Sequence, residues 1–272
     1  MQRNFVIHNK DEHVKIFHCD ILPSDSYIQS MFENEIDILG YLSNSSNRAL
    51  IGEIEAADKK FTVVVKPSSY ENPLLDFEWG TLSKREVASY ELSNLLGWNL
   101  VPPTLLRDVD DLECSVQLFV PHDPREHYFS MTEKDMNEIE KFAVFDYVIN
   151  NADRKAGHVI LEKLTTFDLY VDNQPEKLET SHRGKLWGID HGLTFHVEDK
   201  LRTVIWDFTE KQISDELVKD LALSIDQIPD VLSNYLNYDE IKTTVERVEK
   251  LILNPYHRAL DENIRAFPWP LV

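Results

Sequence analysis

Asp153 opens the hexapeptide "DRKAGH", and Asp190 stands in "GIDHG" thirty-odd positions later. Two carboxylates and a histidine at these spacings are groups suited to a metal-bound polyphosphate. Phosphoryl transfer needs little covalent help from a protein. A turn must cover the phosphates, a cation must hold them, and an acid must steady that cation. A carboxylate orients the nucleophile, and oxygen or nitrogen ligands hold divalent metal.

The chain offers a residue for each role, in one order. "SNSSN" at 43–47 puts Ser43, Asn44, Ser45 and Ser46 between two strand-like runs. Small polar side chains there leave backbone N–H groups able to face phosphate oxygens. Lys66 ends the β-branched run "FTVVVK", so its stem can lie along a core while its ammonium emerges. Glu86 follows on the next helix, where it also completes a capping box with Ser83. Asp153 is the carboxylate that would orient an acceptor hydroxyl. His158 lies five residues on, where protein kinases carry a metal-binding Asn, and Asp190 begins a D-x-G like the kinase D-F-G. A neutral imidazole binds divalent ions but favours softer ones than magnesium. Singly, each residue also has a plain structural use: an edge-strand lysine, a helix cap, a polar hairpin, a strand-end turn. Their joint order carries the reading.

Elements able to position these groups follow from periodicity. Strand patterns cover "IDILGYL", "RALIGEIEA", "FTVVVK", "PTLLRD" and "CSVQLFV", and a helix, "SKREVASYELSNLLG", comes after the third. Gly97 suits that helix's C-terminal cap. "PSDSYIQS" reads as a polar linker behind two short strand-like pieces, "NFVIH" and "VKIFHC". A long helix, "TEKDMNEIEKFAVFDYVINN", delivers the chain to Asp153. "HVILE" and "KLWGID" are short strands around a polar excursion, and beyond Leu201 the pattern is mainly helical. The expected fold class is α+β and bilobal. Residues 1–32 form an extension, 33–120 a strand-rich lobe and 121–272 a helical lobe, with a connector near 120–126.

Composition narrows the partners. The net charge of −20 repels nucleic acid and anionic lipid, and no Lys/Arg run is long enough to override it. No apolar stretch approaches the roughly 20 residues that span a bilayer. The opening residues carry no signal-peptide pattern, and Cys19 and Cys114 lie far apart, which suits reduced thiols and a cytoplasmic chain. His182, His191 and His196 are spaced as H-x8-H and H-x4-H, which matches no metal-ligand motif.

"NPLLDFEWGTLSKREVASYELSNLLGWNLVPPTLLRD", "FDYVINNADRKAGHVI" and "GIDHGLTFHVEDKLRTVIWDF" resemble a group of bacterial phosphatidylinositol 3/4-kinase-related proteins over roughly residues 36–210. More distantly, N-x-D-R followed by D-x-G is similar to type II phosphatidylinositol 4-kinases, HipA toxins and secretory-pathway kinases related to casein phosphorylation. The resemblance implies a protein-kinase-like fold that binds ATP with Mg2+ or Mn2+. It implies Lys66 at the α/β-phosphates, Glu86 orienting it, Asp153 as catalytic aspartate, and His158 and Asp190 on metal. Gln117, Phe119 and Val120, in "QLFVP", would supply the hinge to adenine. The acidic surface favours a soluble protein or small-molecule acceptor over a phosphoinositide membrane. Lys200 and Arg202, in the segment after Asp190, are candidate substrate or phosphate contacts, with ion pairing to Glu198, Asp199 or Asp207 the simpler use. Arg154 and Lys155 are candidates for neutralising ATP. The residues leave open AMP transfer, and nucleotide binding without catalysis, on the same fold.

Overall fold

The computed structural model describes residues 25–42, 48–56, 59–163, 183–261 and 265–272. The phosphate-loop candidates Ser43, Asn44, Ser45 and Ser46 lie outside the described residues, as do the strand-like pieces before residue 25, Cys19 and His182. The chain divides into two compact units. One comprises residues up to Ser83, Pro102–Pro124 and Leu161–Lys185; the other comprises Lys84–Val101, Arg125–Ile160 and Leu186–Val272.

The first unit is built on five antiparallel strands: β1 (Asp37–Tyr41), β2 (Leu50–Ala56), β3 (Lys59–Pro67), β4 (Thr104–Val109) and β5 (Leu112–Leu118). Their spatial order is β1-β2-β3-β5-β4. Side chains alternate across the pleat, so Phe61, Val63 and Val65 enter one core with Leu50, Ile54, Leu105, Cys114 and Val116. Val64 points the other way, toward Ile51 and Phe119. Burial pushes the Cys114 thiol up to about 11, which leaves it inert at neutral pH.

Residues expected as a linker instead form helix α1 (Asp25–Glu33). Its Met31 is fully buried in the sheet's core, and Arg107 donates to the carbonyls of Met31 and Asn34 at 2.7 and 2.8 Å. Tertiary burial overrides the polar composition. The connector is likewise structured: His122–His127 is a strand, β6, at the edge of a three-stranded sheet ordered β6-β7-β8 with β7 (Val159–Lys163) and β8 (Arg183–Gly188). Pro124 sits where an edge strand tolerates a missing N–H.

Helix α2 (Leu82–Leu95) starts two residues earlier than its capping box requires. Ser83 is therefore inside the first turn, and its N–H donates to Glu71 Oε1 at 3.1 Å while its hydroxyl donates to the Lys66 carbonyl at 3.0 Å. Glu71, twelve residues upstream, does the capping that Glu86 was expected to share, and Glu86 is released for another use. The other end behaves as read. Gly97 has φ +70°, its N–H reaches the Asn94 carbonyl at 2.9 Å, and Trp98 N–H reaches the Ser93 carbonyl at 3.1 Å, a Schellman cap.

The second unit packs α2's later turns with α3 (Met136–Val148), α4 (Asp215–Ser224), α5 (Ile228–Leu232) and α6 (Tyr238–Leu253). Phe142, Val144, Phe145, Leu217, Leu221 and Val248 are among its buried apolar side chains. Helix α6 opens on a capping box between Asn237 and Glu240.

Candidate functional site

Helix α3 carries an aspartate where its pattern is otherwise apolar. Asp146 and Arg154 are both 0% exposed, and the Arg154 guanidinium grips the carboxylate from Nε at 3.0 and 3.1 Å and from Nη2 at 2.9 Å. Arg154 Nη1 donates to the carbonyls of His158 and Ile189 at 3.2 and 3.1 Å. Nη2 also meets His191 Nε2 at 2.7 Å; an arginine only donates, so that nitrogen offers its lone pair and the ring proton sits on Nδ1. Arg154 therefore does not face solvent to neutralise a nucleotide, as its place beside Asp153 suggested. It points inward and ties together the backbone beside His158 and Asp190.

Asn151 completes the frame. Its side chain donates to Asp146 Oδ1 at 3.0 Å and accepts the Asp153 N–H at 3.0 Å, an Asx turn that aims Asp153. Asn150, at φ +52°, donates to the carbonyls of His196 and Glu198 at 2.8 and 2.6 Å and accepts the Lys200 N–H at 2.9 Å. Arg202 N–H reaches the Asn151 carbonyl at 2.8 Å, and Arg154 N–H reaches the Arg202 carbonyl at 3.0 Å. The turn and the segment after Asp190 are thus laced along their backbones.

On this frame Asp153, His158 and Asp190 come together. His158 Nε2 lies 3.3 Å from Asp190 Oδ2. Asp153 pairs with Lys155 at 2.8 Å. Its carboxyl is held above the ordinary range, chiefly by burial, with the Asp190 charge adding and Lys155 and Arg202 opposing. Asp190 is half exposed and adopts φ +61° two residues after β8, while buried Phe195 adopts φ +61° too. Left-handed backbone at a bulky residue is costly and collects at functional sites. Gly188 has no Cβ to spare: one would lie 2.8 Å from Phe142 and 3.3 Å from the His191 ring.

Glu86, buried on α2, accepts the His191 N–H at 3.0 Å through Oε2. Its neighbours hold the same turn. Arg85 donates to the Thr194 carbonyl at 2.6 Å and pairs with Glu240, and Ser89 Oγ lies 3.5 Å from Thr194 Oγ1.

The family model for phosphatidylinositol 3- and 4-kinase matches residues 106–264, a span that holds Asp153, His158 and Asp190. The chain belongs to the phosphatidylinositol 3- and 4-kinase family. It is 31% identical over 277 residues to Protein Rv2133c of Mycobacterium tuberculosis, covering 88% of this chain and 92% of that one. Its fold is similar to that of Fam20 from hydra, solved with sugar (TM-score 0.52, 12% identity, 89% of this chain and 95% of that one). It is also similar to the Golgi casein kinase with Mn/ADP bound (TM-score 0.51, 14% identity, 91% and 80%). The kinase-like α+β fold expected from sequence is present, and the family is one of phosphotransferases.

Of the remaining candidates of this kinase-family chain, Lys66, Gln117, Phe119 and Val120 lie in the first unit. Lys66 is half-buried near the end of β3, opposite Ser115. Gln117 turns its amide to Thr104 Oγ1 at 2.8 Å; Phe119 packs on Ile51, and its N–H serves the Thr62 carbonyl at 3.0 Å. Val120 is buried, its carbonyl 2.7 Å from His122 Nδ1. Lys200 pairs with Glu198 at 3.2 Å, the simpler of its two expected uses. Among the described residues no three His, Cys, Asp or Glu side chains form a metal site alone. His158 and Asp190 still fit a divalent ion of the kind that draws its other ligands from substrate phosphates and water. Among the described residues no helix is long and apolar enough to cross a membrane.

Sequence reasoning missed Asp146, the part Asn151 plays in aiming Asp153, and the inward role of Arg154. An acid inside "FAVFDYVI" with an arginine eight residues on was the available signal, since a buried carboxylate needs a partner.

Proposed function

We propose that the protein is an ATP- and divalent-metal-dependent kinase that phosphorylates a hydroxyl of a soluble protein or small molecule. What carries the reading is the meeting of His158 with Asp190 beside Asp153, on a frame fixed by the buried Arg154–Asp146 pair. Asp153, aimed by Asn151, accepts a hydrogen bond from the acceptor hydroxyl and takes its proton as the phosphoryl group transfers. Its raised pKa strengthens it as a base. Lys155, already on Asp153, limits that rise and supplies positive charge at the reacting centre. Arg202, fixed by both backbone groups to the Asp153 turn, adds a second cation; a chain of charge −20 needs such groups to admit a polyphosphate. From the family resemblance, Lys66 is assigned to the α/β-phosphates, Glu86 to orienting that lysine, and Gln117, Phe119 and Val120 to the adenine. A metal ion held by His158 and Asp190 would neutralise phosphate charge, and the imidazole favours Mn2+ over Mg2+. The acidic surface supports a soluble acceptor, and the two widely spaced cysteines support a cytoplasmic setting.

Incubation with ATP and Mn2+ tests this, with intact-mass analysis of acceptor and protein. A phosphoryl mass increment that Asp153→Asn abolishes supports the kinase. An adenylyl increment establishes AMP transfer instead. Nucleotide binding with equal traces of product from both proteins removes the catalytic assignment.

A further inference from the structure

The segment Arg265–Val272 touches the Asp153 turn at one point and the segment after Asp190 at another. Ala156, three residues after Asp153, donates its N–H to the Leu271 carbonyl at 2.8 Å. Thr203 N–H donates to the Ala266 carbonyl at 3.1 Å. Between these contacts runs the parallel bridge Arg154–Thr203, which ties the turn to the segment after Asp190. Side chains add to the backbone bonds. Ala266 and Pro268 are buried, the Phe267 and Trp206 rings lie 6.4 Å apart, and Val272 Cγ1 stands 4.0 Å from where a Cβ on Gly157 would be. The outward residues Phe267, Trp269 and Leu271 are exposed, Trp269 by 78%.

We infer that Arg265–Val272 is a positioning brace for the catalytic turn. Its function is to take up the Ala156 and Thr203 amides, which an α-helix or sheet would otherwise satisfy, so that Lys155 to His158 hold one conformation. Within Lys155–His158 the Ala156 amide is tied to this segment by one bond, and such a stretch opens locally when that bond is lost. Opening shifts Asp153 and His158 relative to Asp190, and a misplacement of about 1 Å costs about a hundredfold in rate. Ala266 is the vulnerable point, because its small buried side chain leaves no room for a charged one.

The test uses the full chain with Cys19→Ser, comparing Ala266→Glu with and without an added Gly157→Cys/Val272→Cys pair. Amide exchange of the peptide over residues 150–160 is measured by mass spectrometry, beside kcat and KM for ATP with Mn2+. Ala266→Glu is expected to speed exchange of that peptide about tenfold. It should lower kcat about tenfold or more while KM for ATP stays within about twofold. Forming the cross-link should return both values to within about threefold of the cross-linked chain with native Ala266. Wild-type exchange in Ala266→Glu, or an oxidised cross-link that restores nothing, overturns the brace. Should Ala266→Glu fail to fold, Ala156→Pro replaces it. Lys155 is extended and proline suits the first position of a short helix, so the change removes the N–H to Leu271 with little local strain. Unchanged exchange over residues 157–160 and unchanged kcat in that variant would equally overturn the brace. The kinetic arm rests on Asp153 being catalytic; the exchange arm does not, so a chain that never turns over ATP still tests the brace.

Discussion

Replacing Arg154 with Met isolates what the buried pair contributes. The variant leaves the Asp146 carboxylate uncompensated at zero exposure, still accepting from Asn151 Nδ2 at 3.0 Å and Thr203 Oγ1 at 3.2 Å. It also takes one of two donors from the His158 carbonyl, which keeps the Ile189 N–H at 3.0 Å, and removes the guanidinium donor from the Ile189 carbonyl and from His191 Nε2. Breaking a buried pair from one side costs about 3–5 kcal/mol, and each stranded acceptor adds about 1 kcal/mol when no water replaces the donor. A loss of about 5–7 kcal/mol is therefore expected, read as the shift in the urea midpoint multiplied by the m-value. Adding Asp146→Leu removes the unpaired charge but strands the Asn151 amide. The double variant should recover about half of the loss. Phosphotransfer should stay absent in both, because neither restores the ties to His158 and Ile189. A single variant within about 1 kcal/mol of wild type, or a double variant no more stable than the single, refutes the assignment of Arg154 as the hub.

Three shorter tests follow. Asp153→Asn should lower kcat by about a hundredfold to ten-thousandfold in single-turnover assays, the range for losing a general base. His158→Asn should shift the ratio of rates with Mn2+ and Mg2+ toward Mg2+, because an amide oxygen is a harder ligand than imidazole; an unchanged ratio places His158 off the metal. His257 sits against Glu140 at 3.2 Å and stacks on Phe208, and burial lowers its pKa despite the carboxylate. The unfolded chain therefore takes up a proton there at a higher pH than the folded one. Stability is fully present above the ordinary histidine range and falls as pH drops through it, ending below the folded pKa. Thermal melts between pH 5 and 8 should show a fall on acidification that His257→Gln flattens.

How far the sequence led depends on how local each signal was. β-branched alternation in "FTVVVK" and the heptad-like spacing in "YDEIKTTVERVEKLIL" gave β3 and α6 because each pattern is satisfied by its own element. Gly97 was equally local, since positive φ is a property of one residue. Ser83 and Glu86 were misassigned because a capping box looks only three residues ahead, whereas Glu71 reaches the helix from twelve residues behind. Helix α1 was taken as a linker because its stabilising contacts, Met31 in the sheet core and Arg107 on its carbonyls, are distant in sequence. In the candidate site, spacing singled out Asp153, His158 and Asp190, which the structure brings near one another. The direction of Arg154 was not, because adjacency to a solvent-facing acid says nothing about which way a guanidinium turns.

Arg85, Glu86 and Ser89 all engage the turn from His191 to Thr194, and Arg85 carries the tie on to Glu240 at the start of α6. Helix and turn are thereby one rigid piece. Control by swinging this helix outward, with the turn left behind, would break a desolvated ion pair and several bonds at once. An effector of this chain must instead shift the assembled piece as a whole, or regulate access by what it delivers to it.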